Sequence, residues 1–525
     1  MVITHENFIK MKKIKIYIII LLTIIVTYLL TYIDKIGLHG DEALLGLDGI
    51  QILKVGISKP YGMNKYTGIL QAFMNSLSFK IFGINVNSLR ITGVISNIIS
   101  LFILIKILKN RIGVKAILIF LLLFAQSIFL LCYSKIAWEV CSFNFLFIAT
   151  SLFSIHKIEQ NKQKNNWFYV FMFLFLTLLG SYNHILFSSI LVTLFFSIFF
   201  YVWFNKVNQS DFLLKLFSIT IISLFNITCL FVFMELFVDI VWNKIGFLIF
   251  ISPFILIILE IIIFKKILSL ISLLFNFLNQ KSLPNKILKN IIIFIPILLF
   301  LKFHFFNFFD VLGNNIIIMR LFSYSPNYIL KWYFMLVSGI IVSLTTYFLV
   351  TDFIKKTTTI WSYFIIFYLG IFCLYTIGSS IRYYHILTIF LFLFLSSHPL
   401  ILQQKFKFEF ITVIMINLIL VQIILWNNNL DQNRKVNAMI FKIGLKNTET
   451  SAHFLNFSKV IDYVRKNNIG EIKTTETFFI GNVFSFYRNV YPEIKTYNNS
   501  AYINYNYKDK GSGFKTAFIE NKKSI

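Results

Sequence analysis

The stretch KMKKIKIYIIILLTIIVTYLLTY, residues 10–32, decides what kind of protein this is. Lys10, Lys12, Lys13 and Lys15 precede an uncharged apolar run from Tyr17 to Tyr32. As an α-helix that run rises about 24 Å, and with its flanks it reaches across a hydrocarbon core of about 30 Å. In lipid each backbone donor and acceptor must be satisfied inside the segment, and the alternation of a membrane barrel is absent, so the run is a helix. It has the basic start of a signal peptide, but no small-residue cleavage site follows it, so it reads as a retained anchor.

Working outward, similar runs recur through all 525 residues, which are 58% hydrophobic and 14% charged, with a mean hydropathy of +0.77. That composition belongs to a lipid-solvated protein. Thirteen spans are expected, at about 17–32, 91–108, 116–133, 140–155, 167–182, 185–204, 216–235, 245–264, 290–304, 330–351, 360–377, 386–401 and 410–426. Lys and Arg cluster in alternate short loops, for example Lys106, Lys109, Arg111 and Lys115, which by the positive-inside rule places the N-terminus in the cytoplasm. The stretch Leu268–Leu278 is short and followed by Lys281, Lys286 and Lys289, and reads as a cytoplasmic interfacial helix. The expected class is therefore an all-α polytopic protein of the cell membrane, N-in and C-out. Residues 1–426 form the membrane domain with an external loop at 34–90, and 427–525 form a small extracytoplasmic α/β appendage.

The net charge of +27 would suit a nucleic-acid partner, but its confinement to short loops assigns it to orientation and to contact with membrane lipids. Cys132, Cys141, Cys229 and Cys373 are dispersed without metal-like spacing and read as buried thiols. No P-loop or glycine-rich nucleotide cradle is present, which disfavours use of ATP.

The first external loop carries adjacent carboxylates in His39-Gly-Asp41-Glu42-Ala43, followed by Asp48 and Gly56, and then Gly83 and Arg90. A carboxylate beside the bilayer is partly desolvated, which tunes it toward general-base work. The alternative is an ordinary helix N-terminus, where acids oppose the dipole. The whole pattern, with Asp48-Gly-Ile-Gln-Ile-Leu-Lys-Val-Gly56 and Leu-Ser-Phe-Lys-Ile-Phe-Gly83, resembles the first external loop of the GT-C glycosyltransferases. It is most similar to the protein O-mannosyltransferase and aminoarabinose-transferase branch, over about residues 34–150. The resemblance implies a multi-helix enzyme that transfers a sugar, with inversion, from a polyprenyl-phosphate carrier on the outer face of the membrane.

By position in that pattern, Asp41 matches the family's catalytic carboxylate and Glu42 stands behind it as a second. The block Tyr133-Ser-Lys135-Ile-Ala-Trp-Glu139 matches a basic residue followed by an acid four positions later. Lys135, as a donor-phosphate contact, and Glu139, as a substrate contact, would share a helical face, and a simple ion pair is the other reading. Lys lacks the bidentate fork of the Arg found in many relatives. The run Arg382-Tyr383-Tyr384-His385 resembles the Arg-Tyr that opens a late helix, and Arg382 would hold the departing phosphate, with Tyr383, Tyr384 and His385 near substrate. The other reading of these residues is snorkelling to the interface.

His184 could also touch substrate, and His304, Asp310 and Arg320 could touch carrier or acceptor. A divalent cation held by Asp41, Glu139 and a His is a further candidate, although their spacing identifies no metal site. Glu260 lies within span eight and needs a partner. The expected partners are a polyprenyl-phosphate sugar donor, a lipid, protein or glycan acceptor, and membrane lipids. A transporter or flippase of a lipid-linked or small anionic substrate is the competing class, and it predicts polar groups spread through the midplane. A non-catalytic membrane partner is the third.

Overall fold

The anchor segment is helix α1 (His5–Leu30). It opens the computed structural model, which describes residues 5–34, 36–160, 167–205, 211–237, 244–280, 286–314, 328–375, 381–403, 407–430, 439–441, 453–455, 458–474, 481–505, 514–515 and 517–520. Strand β1 (Leu38–His39) and helices α2 (Gly40–Val55) and α3 (Leu70–Phe82) form the first loop; α4 (Val86–Arg111) re-enters the bundle. Then come α5 (Val114–Ala125), α6 (Ile128–Tyr133), α7 (Glu139–Ser142), α8 (Asn144–Gln160), α9 (Trp167–Asn183), α10 (Ser188–Asn205), α11 (Asp211–Phe237) and α12 (Lys244–Gln280). Helices α13 (Lys286–Phe303), α14 (Phe305–Leu312), α15 (Tyr328–Ile354), α16 (Ile360–Tyr375), α17 (Tyr384–Ser397), α18 (Pro399–Gln403) and α19 (Lys407–Leu430) complete the bundle.

Six described helices are long and apolar enough to cross a membrane, seven if the bent pair α13 and α14 counts as one span, and five shorter apolar helices accompany them. The protein is thus a predominantly helical membrane protein. Several of the thirteen expected apolar runs form short or interrupted helices among the described residues. Between α5 and α6 the ladder breaks at Gln126–Ser127. Ser127 Oγ accepts from Leu130 N at 3.2 Å, and Asn314 accepts from Ile128 N at 2.8 Å and donates to Gln126 O at 3.0 Å. These side chains satisfy the backbone groups that an interrupted helix leaves open in an apolar interior.

Helices α13 and α14 meet at 76°. At the bend His304 is buried, with its Nδ1 2.9 Å from the Tyr384 hydroxyl. Helix α12 runs unbroken for 37 residues, so Leu268–Leu278 is part of one long helix and not a separate interfacial one. Glu260 on α12 accepts from Asn226 Nδ2 on α11 at 2.7 Å, which supplies the partner an intramembrane acid requires. Arg320 lies outside the described residues.

Beyond α19 the chain forms β2 (Met439–Phe441), β3 (His453–Leu455), α20 (Ser458–Lys466), β4 (Ile469–Thr474), α21 (Asn482–Val490), β5 (Asn499–Tyr505), β6 (Phe514–Lys515) and β7 (Ala517–Glu520). One sheet has the order β4-β5-β7, with β4 and β5 parallel. The other has the order β1-β3-β2-β6 and takes its edge strand from the first loop: Leu38 pairs with Leu455 and His39 with Phe454. A second apolar core joins Leu38, Ala43 and Leu89 to Val464, Phe484 and Phe486. Gly46 on α2 is needed there, since a Cβ would stand 2.7 Å from the Phe486 ring. The C-terminal region is therefore packed directly on the loop that carries Asp41.

Phe486→Ala should loosen this docking by about 3–5 kcal/mol, the cost of truncating a buried Phe. The measurement is limited proteolysis of the purified protein: cleavage within residues 458–505 should quicken while the membrane helices remain protected.

Candidate functional site

The loop between α1 and α4 is folded around one buried cation. Arg90, on α4, uses all five of its N–H donors. Nε donates to Glu42 Oε1 at 2.6 Å and Nη2 to Glu42 Oε2 at 2.7 Å. Nη1 donates to the carbonyls of Ile33 and Ile36, both at 2.8 Å, and Nη2 also to that of Gly37 at 3.0 Å. Glu42 accepts in addition from Ala137 N at 2.8 Å and His39 N at 3.4 Å. Both residues are fully buried. Glu42, expected as a second catalytic carboxylate, thus has both oxygens committed to holding the loop.

Its neighbour Asp41 faces the other way. His39 Nδ1 accepts from Asp41 N at 3.0 Å, which caps α2. The Asp41 carboxylate then meets Arg382 across 341 residues of chain: Arg382 Nη1 donates to Asp41 Oδ2 at 2.6 Å. The helix N-terminus considered from sequence is present, but buried rather than solvated, with Asp41 9% exposed. The Arg382 guanidinium lies 5.0 Å from the Trp138 ring and 5.3 Å from the Tyr383 ring, a cation–π arrangement on both. His39 meets the same Trp138 edge-on at 4.7 Å.

Glu139 opens α7 beside this pair and is 2% exposed. Its position is fixed through its backbone, whose carbonyl accepts from Asn183 Nδ2 at 2.7 Å. Its Oε1, like Arg382 Nε, has no hydrogen-bond partner among the described residues. Buried polar atoms of this kind cost about 1–3 kcal/mol each unless something pairs with them, so they mark places for a ligand or water. Asp48, two turns along α2 from Asp41, presents a third such atom, Oδ2. Burial pushes the Asp48 carboxyl above its usual range, with Lys59 opposing.

Lys135 does not sit as its spacing suggested. The chain between α6 and α7 is not helical, and Trp138 is extended (φ −98°, ψ 145°), so Lys135 and Glu139 share no helix face and form no ion pair. The Lys135 ammonium donates to Thr31 O at 2.8 Å and lies 3.5 Å from the Tyr28 ring, tying the end of α1 to this turn. The four residues Arg382 to His385 also divide. Tyr383 faces the site, 5.6 Å from the His184 ring. Tyr384 turns inward to His304, and His385 lies between Phe129 and Phe145 with Nε2 3.5 Å from Ser134 Oγ. Successive helical residues point about 100° apart, so a run of four cannot all line one site.

His184 caps the short turn before α10, accepting from Leu186 N at 3.1 Å, and its ring is 5.8 Å from Tyr66. Tyr66, which sequence reasoning missed, is brought in by the pairing of Thr67 with His184 and by Ile185 N donating to Tyr66 O at 3.1 Å. Burial first, then Tyr383, Glu139 and Asp41, push its hydroxyl up, while Arg382 opposes. Trp138 and Asp48 stand within the sequence motifs, which assign them no role of their own. The seven-residue interval from Asp41 to Asp48 could have signalled the latter. Among the described residues no three His, Cys, Asp or Glu side chains are disposed to hold a metal ion. The set of Asp41, Glu139 and a His does not assemble, because Arg382 occupies Asp41.

No protein-family profile matches the chain, and no curated protein matches it. Among solved structures, the Archaeoglobus fulgidus oligosaccharyltransferase, in complex with Zn and sulfate, is similar at 12% identity and a TM-score of 0.47, covering 79% of this chain and 53% of that one. The chain thus spans about half the length of that protein. ArnT from Cupriavidus metallidurans, bound to undecaprenyl phosphate, is similar at 9% identity and a TM-score of 0.32, covering 73% of this chain and 78% of that one. Both are GT-C glycosyltransferases, the kind the first external loop resembles. At these identities and TM-scores the likeness carries no function over to this chain.

The saturated and unsaturated carboxylates should part under mutation. Glu42→Gln leaves Arg90 wholly buried without its counter-charge and should cost about 3–5 kcal/mol, whereas Asp41→Asn, whose partner Arg382 keeps some access to solvent, should cost less. Thermal unfolding in one detergent compares them, and equal losses would contradict the division of roles.

Proposed function

We propose that the protein is a glycosyltransferase that moves a sugar from a polyprenyl-phosphate donor to an acceptor hydroxyl on the extracytoplasmic face of the membrane. The observation that carries the reading is the buried pair of Asp41 and Arg382, 2.6 Å apart, beside the unpartnered Arg382 Nε and Glu139 Oε1. A carboxylate and a guanidinium in contact supply the two things such a transfer needs: a proton acceptor and an anion-stabilising donor.

In this mechanism the donor phosphate binds the free edge of Arg382, where Nε is available. A fork of parallel N–H groups suits two phosphate oxygens. As the phosphate draws on the guanidinium, its hold on Asp41 weakens and the carboxylate becomes the stronger base. Asp41 then takes the proton from the acceptor hydroxyl, the oxygen attacks the anomeric carbon, and the carbon–oxygen bond to the phosphate breaks. Polyprenyl phosphate leaves with the bonding electron pair, stabilised by Arg382, and one displacement inverts the anomeric centre. Tyr66, Tyr383 and His184 form the wall nearest this pair and are assigned to sugar or acceptor contact. Glu42 and Lys135 are assigned to scaffolding, and Tyr384 and His385 to the support of α17.

The test is transfer of labelled sugar from a pool of native polyprenyl-phosphate sugars to envelope extract by purified protein. Asp41→Asn should lower turnover by about 10²–10⁴-fold, the usual contribution of a positioned base. Arg382→Ala should weaken the response to donor concentration as well as turnover. Full activity in Asp41→Asn would remove the assignment, and transport of the donor without transfer would favour the flippase class.

A further inference from the structure

A cavity of about 470 Å³ opens among α4, α8, α15, α16 and α17. Arg90 on α4 belongs to the loop scaffold, while Arg111 at the other end of α4 stands on this cavity's lining. At 1.5 Å per residue about 32 Å separate them, so the cavity lies at the opposite end of the bundle from Asp41 and Arg382. Its inner wall is apolar, made by residues including Leu104, Leu152, Trp361, Phe390 and Phe394. A smaller void of about 30 Å³ shares Leu152, Trp361 and Phe390 and continues inward to Ile148 and Phe187. The two lie against one shared apolar wall, which makes an apolar track.

The other part of the lining has a different chemistry. Arg111 and Lys355 are there, together with Thr359, which caps the N-terminus of α16. Ser362 N donates to Thr359 Oγ1 at 3.3 Å and Thr359 N to Ser362 Oγ at 3.2 Å. Lys355 is exposed and has no ion-pair partner among the described residues; Arg111 Nη2 is 2.5 Å from Glu159. Asp352 is the one carboxylate of the lining. It already accepts from Ser362 Oγ at 2.6 Å and lies 3.2 Å from His398 Nε2, whose ring stacks on Phe348 at 4.2 Å. Lys355, Arg111 in its pair with Glu159, and the positive end of a 16-residue helix therefore meet at the head of a hydrocarbon-lined wall.

We propose that this cavity binds one anionic glycerophospholipid, its phosphate between Arg111, Lys355 and the start of α16 and one acyl chain along Trp361 and Phe390. Charge complementarity selects the headgroup: a zwitterionic lipid would bring its ammonium toward two cations, and a soluble anion would leave the apolar track unfilled. The site is independent of the transfer reaction at the other end.

Native mass spectrometry of the full-length protein in neutral detergent tests this with phosphatidylglycerol and phosphatidylcholine. Wild type should retain one phosphatidylglycerol at about a tenfold lower lipid concentration than phosphatidylcholine, as expected for two cations near a phosphate. The double variant Arg111→Gln with Lys355→Gln should lose that preference, and Leu152→Trp, which fills the track, should lose retention of both lipids. Equal retention of the two lipids by wild type overturns the proposal, as does wild-type retention by Leu152→Trp, which would mean loose attraction to a basic surface. Independently of that variant, phosphatidylglycerol brominated on an acyl chain should quench Trp361, read as the difference between wild type and Trp361→Phe. No difference also overturns it.

Discussion

The buried ion pair of Arg90 and Glu42 is the constraint on which the end of the bundle that carries Asp41 depends. A guanidinium and a carboxylate taken wholly out of water are costly unless every remaining donor and acceptor is met. Here the five donors of Arg90 find two carboxylate oxygens and three carbonyls, and Glu42 takes two backbone N–H groups besides. The pair therefore ties α4, the chain leaving α1, the start of α2 and the turn before α7 to one point. The turn is held from behind as well, since Asn97 Nδ2 donates to the carbonyls of Ser134 and Cys141, both at 2.9 Å.

That satisfied pair makes its neighbour usable. Because Glu42 fixes the first turn of α2, Asp41 is presented to Arg382, a cation whose Nε has no partner among the described residues. One carboxylate is saturated and structural, and the next is paired but open, one residue apart. The C-terminal region adds to this by pairing β3 with β1, so that the strand just before Asp41 is held in a sheet, and by packing Phe486 on Gly46. Residues far apart in the chain thus converge on a single helix N-terminus.

The bundle itself manages polar groups by interruption. Asn314 repairs the gap between α5 and α6, where Gln126 also bonds to Asn417, and Tyr384 meets His304 at the bend between α13 and α14. Such breaks place buried polar groups at several depths, which a hydropathy profile registers only as continuous apolar length.

Read alone, the sequence determined the solvent of this protein and located the adjacent carboxylates of its first loop. Runs such as Tyr17–Tyr32 have no other stable state than a helix in lipid, and Asp41 could be singled out because a carboxylate next to such a helix is costly unless used or paired. Tertiary structure alone decided the partnerships. Glu42 differs from Asp41 by one position and one methylene, yet Arg90 and Ala137 make it structural. Lys135 and Glu139 have helical spacing, yet an extended Trp138 separates them. Arg382 meets Asp41 only because the bundle folds 341 residues of chain back on themselves. Local spacing constrains neighbours on one element, whereas contacts between distant elements are set by packing, and it is in those contacts that each charge was either neutralised or left available.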